Sequence, residues 1–598
     1  MHTHRQLSSN ALPGKRLYLL VLAICLVGGC RSPGDYRQAA DRAAYDIVER
    51  AQERTLAQTS PFTIETPAQT LRRQLLLDQD LPQSGPASLG TGDLPPLPHA
   101  PPTDAPTVLT NEMPTVELSE LTLTQALQIA AANNRDYQSR KEDVFRSALA
   151  LDLEANKFRN LLAGDVQSDY REDHRGENTV RGLANTGSLS WQRRLKYGTL
   201  LTTKIAVDLV KLLTMDRSSS FGLLADATIT MPLLRGAGRH IVTEPLTQAE
   251  QDVVYALHNF ERFRKTLAVR VATDYMAVLQ QFDQVRNAED NYQRLAVSTD
   301  RVRRLAEAGR LPRIQMDQAL QDDLRALDRL TSAKQTYAGR LDNFKITLGL
   351  PTDAQLELDR SELDRLTADG PRDKVEDTDD QMERETRASI IKALANRLDL
   401  RTAQGRVFDA QRKTLVAADA LRMGLTLSAG GAVGESRGLS SADQPDARLR
   451  FDEGLYTAGL GLDLPLERTA ERNAWRNSLI TLERATRDLQ ALEDQIKLDI
   501  RDALRARRQA LASHRIQQQA LAVAERRVAS TELFLQAGRA QVRDILEAQE
   551  ALVSARNSLT AALVNYRTAE LQLLRDMGVL TMNQDGSWME DELEINNE

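Results

Sequence analysis

The sequence is poor in cysteine and in aromatic side chains. Its 598 residues include two cysteines, both within the first 30 positions, and only 4% are aromatic. So few aromatic residues are low for a set of compact globular cores and are typical of long helices rich in Ala, Leu, Gln, Arg and Glu. The hydrophobic share of 41% and the charged share of 27% indicate a folded chain rather than a disordered one.

Several functional classes are disfavoured by what the sequence lacks. The formal net charge of −7, from 77 basic and 84 acidic residues, gives no basic excess for binding nucleic acid. No phosphate-binding loop or nucleophile elbow occurs, and the seven histidines lack ligand spacing outside the first few residues. We therefore expect no catalytic set, no cofactor and no metal site, and we do not expect an enzyme.

The N-terminus has the parts of an export signal. Basic residues at Arg5, Lys15 and Arg16 precede the apolar run LYLLVLAICLVGGC, which ends at Cys30. The end of this run resembles a bacterial lipobox, in which the signal (here 1–29) is removed and the cysteine carries diacylglycerol and palmitate. The resemblance implies a lipid anchor at Cys30, and Arg31, in place of Asp, favours the outer membrane. An ordinary signal peptide with an incidental cysteine is the alternative.

After the signal, no apolar run reaches the roughly 18 residues of a spanning helix. Any membrane span is therefore expected to consist of strands in a closed barrel. Residues 30–115 end in a Pro-rich stretch and are expected to tether the anchored end to the body. An acidic tail is expected at 581–598, where the sequence ends MEDELEINNE.

The body of the chain is duplicated. Ala308-Gly309-Arg310 recurs 229 positions later as Ala537-Gly538-Arg539, and ten identities share this ungapped offset. ITMPLL and LDLPLE align Pro232 with Pro465, whereas the preceding helices, expected over 121–161 and 385–420, align at an offset of 263. The sequence therefore predicts a first repeat over 116–366, a linker over 367–384 and a second repeat over 385–580, with about 30 extra residues in the first.

Each repeat contains apolar residues at alternating positions, which predicts strands within 164–234 and 424–466. The extra residues of the first repeat form two further alternating runs around Tyr197 and Gly198. One apolar and one polar face suits a wall with lipid outside and water inside, although a sandwich with one solvated face has the same pattern. Pro232 and Pro465 stand where strand is expected to give way to helix, because proline cannot donate to a strand ladder.

Long helices follow the strands, over about 245–307 and 471–536. Apart from Pro245 in the first turn, neither contains proline or glycine, and each would be roughly 95–100 Å long. An Ala-Gly-Arg turn ends each helix, and the second return helix has a heptad repeat typical of a coiled coil. Its positions are Ile545, Leu552, Leu559, Tyr566, Leu573 and Leu580.

The order of helix, strands, proline, long helix, glycine turn and heptad helix, repeated once, resembles the TolC family of outer-membrane efflux channels. NRLDLRTAQGRVFDAQ, MPLLRGAGR and AGRAQVRDILEAQEALVSARNSL carry the local likeness, which covers about 121–580. The resemblance implies a mainly α protein with a membrane β-barrel part. Three copies would form an α-barrel and share a 12-stranded β-barrel, four strands each, and the extra hairpin departs from that count.

The resemblance also implies roles for the turns and for two acids beyond the second turn. Gly309, Arg310, Gly538 and Arg539 would form the periplasmic tips, which in the family close the entrance and meet an adaptor protein. Asp544 and Glu547 match the positions of paired acids that face the pore. Alternatively, both merely occupy a helix first turn, where carboxylates favour the helix dipole.

Two further features bear on the expectation that Asp544 and Glu547 face a pore. Gln315 and Gln318, the equivalents in the first repeat, are uncharged, and Arg543 is adjacent.

The sequence-based expectation is a passive homotrimeric duct in the outer membrane that works with a periplasmic adaptor and an inner-membrane pump. A lipid-anchored coiled-coil scaffold without a pore is the alternative. The cargo is not encoded in any of these patterns.

Overall fold

The structure is a computed structural model, and it describes residues 32–56, 61–65, 70–98, 119–174, 179–214, 219–370, 379–537, 539–583 and 586–587. These residues form two compact units, each built from several stretches of the chain. Phe145–Val254 and Gly405–Arg487 belong to the first unit, together with the N-terminal residues. Leu56–Val144, Tyr255–Gln404 and Asp488–Glu598 belong to the second.

The first unit is dominated by one antiparallel sheet of six strands, which take alternate directions. In chain order its strands are β2 (Leu161–Asp173), β3 (Val180–Arg194), β4 (Leu200–Leu212), β5 (Ser219–Pro232), β7 (Gly424–Glu435) and β8 (Leu455–Asp463). Their spatial order, β2-β3-β4-β5-β7-β8, is also their sequence order. These strands overlap the expected regions 164–234 and 424–466, and β3 and β4 correspond to the two extra runs.

Residues that pair across the ladders lie on the same face of the sheet, so the alternation can be followed across all six strands. One face is apolar on every strand: Val166 and Tyr170, Leu189 and Trp191, Ile205 and Val207, Leu223 and Ile229, Leu427 and Val433, Tyr456 and Leu460. The opposite face is mainly polar: Asp165 and Gln167, Ser188 and Ser190, Thr202 and Lys204, Asp226 and Thr228, Thr426 and Ser428, Thr457 and Gly459. We call these the apolar face and the polar face.

The remaining elements are mostly helices. They are α1 (Pro33–Leu56), α2 (Leu71–Asp78), α3 (Leu123–Asn133), α4 (Arg135–Asn156), α5 (Arg239–Val242), α6 (Glu244–Glu307), α7 (Arg313–Leu348), α8 (Ser361–Asp369), α9 (Asp379–Asn396), α10 (Leu398–Ala420), α11 (Thr469–Gln536) and α12 (Val542–Met577). The long helices α6 and α11 begin within two residues of the expected starts and end where expected. Among the described residues, no helix is both long enough and apolar enough to cross a membrane.

The opening helix of each repeat is broken, which the sequence reading missed. Expected helices over 121–161 and 385–420 are split into α3 and α4, and into α9 and α10. At the first break, Asn134 leaves the helical conformation with ψ 127°, and its side-chain amide donates to the Thr347 carbonyl at 2.8 Å. This tertiary hydrogen bond holds the break, and a helix-period pattern carries no sign of it.

The core of the second unit consists of packed helices around a small parallel pair of strands, β1 (Ser119–Leu121) and β6 (Glu357–Leu358). Tyr275 on α6 is buried beneath this pair and donates to the Leu121 carbonyl at 2.9 Å. On α12, the heptad residues Ile545, Tyr566 and Leu573 are buried, as an associating stripe requires.

Part of the expected tether is folded. On α1, Ala44 and Val48 are buried, and the ring of Tyr45 packs on Phe145 with centroids 5.1 Å apart. On α2, Leu71 and Leu75 belong to the hydrophobic core of the second unit. The stretch 99–118 lies outside the described residues, as does most of the acidic tail (584–585 and 588–598).

Candidate functional site: the helix turns and the acids behind them

The first helix turn follows α6 and is closed by backbone hydrogen bonds. Gly309 has φ +71°, a left-handed conformation that glycine adopts without strain. Its N–H donates to the Ala306 carbonyl at 3.0 Å, and the Arg310 N–H donates to the Leu305 carbonyl at 2.9 Å. This pair of bonds is a Schellman ending, and the chain then enters α7 after Pro312.

The second turn follows α11, with Gly538 outside the described residues. The Arg539 N–H donates to the Phe534 carbonyl at 2.8 Å, which is the same six-residue closure as in the first turn. Gln541 then caps α12: its backbone N–H donates to the Asp544 carboxylate at 2.8 Å. The Asp544 carboxylate therefore stabilises the helix start in the manner of a capping box.

The two turn regions share one hydrophobic cluster within the second unit. Leu295 and Val302 on α6 pack with Ala319 on α7, and with Val542 and Leu546 on α12. Beside the cluster, the Thr299 hydroxyl donates to the Ala319 carbonyl at 3.1 Å. Apolar side chains on α6, α7 and α12 therefore hold the turn regions of both repeats together.

Glu547 is engaged by its neighbour on the same helix. The Arg543 guanidinium donates to the Glu547 carboxylate at 2.8 Å, and both side chains are about half exposed or more. This hydrogen bond, together with the attraction of the carboxylate, raises the pKa of Arg543. Half of the expected acidic pair thus has a cationic partner, so the local field from α12 is weaker than two free carboxylates would give.

A polar depression of about 360 Å³ lies beside these residues in the second unit. Its lining residues come from α6, α7 and α12 and include Gln318, Asp322, Arg325, Arg329, Glu547 and Glu550. Arg329 and Glu550 form an ion pair across the two repeats at 2.5 Å. Sequence reasoning missed Arg329 and Glu550, although their spacing of four from Arg325 and three from Glu547 places them on the same helix faces.

A second charged cavity, of about 550 Å³, lies at the break between α9 and α10. The buried Arg397 donates to Asp399 at 2.8 Å and to Asp499 at 3.2 Å, and Arg262 also pairs with Asp399. Each of these charges has a partner of opposite sign. The arrangement is that of an ion-pair network joining three helices, and the sequence reading did not find it.

The strand exits lie in the first unit. β5 ends at Pro232, whereas β8 ends at Asp463, two residues before Pro465. Arg235, just past the first exit, pairs with Asp463 at 2.5 Å. Cys30 lies outside the described residues. Among the residues that the structure does describe, no group of three His, Cys, Asp or Glu side chains is placed to hold a metal ion.

Comparisons with known proteins agree with this architecture. The family described as outer membrane efflux protein matches residues 390–579. A comparison with curated proteins finds no match.

Among solved structures, the CmeC outer membrane channel of Campylobacter jejuni is 12% identical, with a TM-score of 0.56 over 79% of this chain and 88% of CmeC. VceC, an outer membrane protein of Vibrio cholerae, is 14% identical, with a TM-score of 0.55 over 76% and 96%. CusC, which forms a transmembrane channel, is 15% identical, with a TM-score of 0.55 over 76% and 92%. At these identities the likeness to solved structures concerns the fold.

Proposed function

We propose a function from two findings: the chain has the fold of the TolC-family outer-membrane channels, and its residues 390–579 match the outer membrane efflux protein family. From this premise we propose that it is the passive export duct of a tripartite efflux or secretion system. The observation that carries the proposal is the six-stranded sheet, whose apolar face is exposed on the strands at both of its edges. Leu162 on β2 is 70% exposed and Leu460 on β8 is 64% exposed. Lipid is the environment that stabilises such a face.

The proposed assembly is a homotrimer. Six strands are too few to close a barrel, because even small barrels need about eight. Copies related by rotation close the sheet without leaving an edge. The duct has no energy source of its own, so a periplasmic adaptor and an inner-membrane pump supply energy and cargo.

Cys30 is proposed to carry the lipid that anchors the N-terminus in the outer membrane. The motif VGGC at 27–30 supports this, together with the absence of any later cysteine. Intact-mass measurement of the purified protein should show an acylated N-terminus that begins at residue 30. Cleavage at another position, with an unmodified thiol or none, would contradict the anchor and leave the duct intact.

The second-repeat tip is proposed to set the ion preference of the entrance. Asp544 and Glu547 from three copies would form rings of carboxylates that favour cations. Arg543 would moderate this field through its ion pair with Glu547. The Ala-Gly-Arg turns around Gly309 and Arg539 would be the parts that meet the adaptor.

Electrophoresis of isolated outer membranes distinguishes the duct hypothesis from the coiled-coil scaffold hypothesis. We expect an SDS-resistant trimer whose mobility changes on boiling, because a closed barrel resists detergent until it is heated. A protein that fractionates as a peripheral lipoprotein and migrates as a monomer with or without boiling would be the scaffold instead.

A further inference from the structure

We infer that each copy contributes six strands to the membrane wall, so that three copies close an 18-stranded barrel by pairing β2 of one copy with β8 of the next. This inference rests on the proposed function. It replaces the 12-stranded count that the family resemblance implies. The two additional strands are β3 and β4, since β2 and β7 follow the opening helices, and β5 and β8 lead to the two aligned prolines.

The additional strands lie inside the sheet rather than at its edge. β3 pairs with β2 through thirteen residue pairs and with β4 through thirteen more. β4 pairs with β5 through twelve. If β3 and β4 left the wall to form an extracellular extension, β2 would lose the one ladder it makes within the described part of the chain, and β5 would lose the longer of its two. The hydrogen-bonded position of β3 and β4 therefore favours their inclusion in the wall.

The additional strands also have the length and the alternation of apolar and polar residues that strands of the wall need. They contain 15 and 13 residues, whereas about 9–11 suffice to cross a bilayer. Leu189 on β3 pairs with Ile205 on β4 on the apolar face, and Ser190 pairs with Lys204 on the polar face. The apolar face of the sheet thus continues across β3 and β4, as one lipid-facing surface requires.

The turn between β3 and β4 is seated at the end of the sheet where the helices begin. Gly198 in this turn has φ +99°, and a Cβ there would lie 2.8 Å from the Pro232 ring and 3.1 Å from Val242. Such close packing against the strand exit leaves no room for the hairpin to slide along the sheet. The hairpin is therefore fixed at the level at which β5 leaves the sheet.

The two edge strands of the sheet, β2 and β8, can pair with each other between copies. Six is an even number, so β2 and β8 take opposite directions and would pair antiparallel in a ring of copies. Neither edge strand contains a proline, and within the described part of the chain neither has a second neighbouring strand. Tyr170 on β2 and Leu460 on β8 lie on the same face. Long, unprotected edges of this kind pair with another chain, and here the partner is a second copy.

Spin-label distances measure the barrel's width directly. The chain has no cysteine after Cys30, so Thr228→Cys on the polar face of β5 introduces one labelling site per copy in the body. With strands about 4.8 Å apart and tilted by about 40°, three equivalent Cα atoms are separated by about 30 Å in an 18-stranded barrel and by about 20 Å in a 12-stranded one. The label shifts both values alike, so the difference of about 10 Å remains.

Pulsed dipolar spectroscopy of the labelled trimer in nanodiscs, with its mass measured in parallel, decides between the outcomes. A trimer with the longer distance supports the inference. A trimer with the shorter distance, or a ring of two copies, overturns it and leaves the duct function standing. A protein that forms no ring in the outer membrane contradicts the proposed function as well.

A deletion provides the matched control. Removing residues 177–216 takes out β3 and β4 and joins β2 to β5 by a short loop, which should shorten the distance at position 228 by about 10 Å. A label at Ser332→Cys on α7 should give the same distance with and without the deletion. An unchanged distance at position 228 in a folded deletion variant would overturn the inference.

Discussion

Asp208 on β4 holds the loop between β7 and β8 through the backbone of Arg437. The Arg437 N–H donates to Oδ2 of Asp208 at 3.1 Å, and the Ser436 hydroxyl donates to the same oxygen at 2.7 Å. Nearby, Ala442 in this loop packs with Val210 and Leu212. Asp208, Val210 and Leu212 lie on the polar face of β4, so the loop covers that face at the end of the sheet away from the strand exits.

Replacing Asp208 should release this loop. In Asp208→Ala the buried Arg437 N–H and the Ser436 hydroxyl lose their acceptor, which costs about 1–3 kcal/mol. We expect trypsin to cleave the folded protein faster at Arg437, which is 8% exposed in the wild type. Asp226→Ala, on the polar face of β5, is the control and should leave cleavage unchanged. Equal protection of Arg437 in wild type and Asp208→Ala would show that the contact does not hold the loop.

Two glycines end the return helices of the two repeats and should respond unequally to alanine. Gly349 has φ +82° and Gly578 has φ +75°, so alanine is strained at both by about 1–2 kcal/mol. At Gly349 a Cβ would also overlap the Asn133 carbonyl, whereas at Gly578 it would lie 3.2 Å from Asn396.

Gly349→Ala should therefore lower the thermal midpoint of unfolding more than Gly578→Ala. Gly339, inside α7, has open space around it and is the control. Gly339→Ala should stabilise the helix by about 0.5–1 kcal/mol. Equal midpoints for Gly349→Ala and Gly578→Ala would mean that the Asn133 contact relaxes without cost.

The free energy of unfolding should fall as the pH is lowered from 6.5 to about 4, because the buried His258 stays neutral over this range in the folded protein. Burial, with a smaller contribution from the positive charge of Arg401, lowers the pKa of His258 from 6.5 to about 4. Its Nδ1 lies 3.0 Å from the Thr402 hydroxyl, and the ring is buried between helices. Below pH 6.5 the unfolded chain binds a proton at this histidine and the folded chain does not, so folding loses stability until about pH 4.

Between pH 7 and pH 5 this difference amounts to about 2 kcal/mol. The thermal midpoint of the wild type should therefore fall more over this interval than that of His258→Gln. Glutamine keeps a hydrogen-bonding group near Thr402 and does not titrate. If the two proteins lose the same number of degrees, His258 is not the source of acid sensitivity.

The charges behind the second turn should control ion selectivity in opposite directions. Because Asp544 also caps α12, the test uses Asp544→Asn with Glu547→Gln, which removes charge and keeps an acceptor for the Gln541 N–H. We expect lower cation selectivity for this double variant and higher selectivity for Arg543→Gln, measured as reversal potentials in a salt gradient. Asp494→Ala, a 78% exposed side chain on α11, is the control. Unchanged potentials in the double variant and in Arg543→Gln would show that these residues do not line the proposed pore.

The sequence predicted the elements well where the evidence was local or repeated. The absence of proline and glycine after position 245 was enough to place α6, and period-two alternation was enough to place β3 and β4 around Gly198. The duplication also aligned Gly349 with Gly578, and both end helices in the left-handed conformation.

What the sequence could not supply were contacts between distant positions. Asp208 and Arg437 are separated by 229 positions, and Arg397 and Asp499 by 102, and no periodic pattern joins such pairs. The break at Asn134 depends on the carbonyl of Thr347 for the same reason. The local pattern around Asp544 was compatible with a cap and with a ring of acids in a pore, and the structure shows the cap.

Conductance of the purified protein in a planar lipid bilayer tests the central claim most directly. The proposed duct should give discrete ion-conducting steps that favour cations. A folded, trimeric protein that inserts into the bilayer and conducts no ions under any applied voltage would contradict the duct.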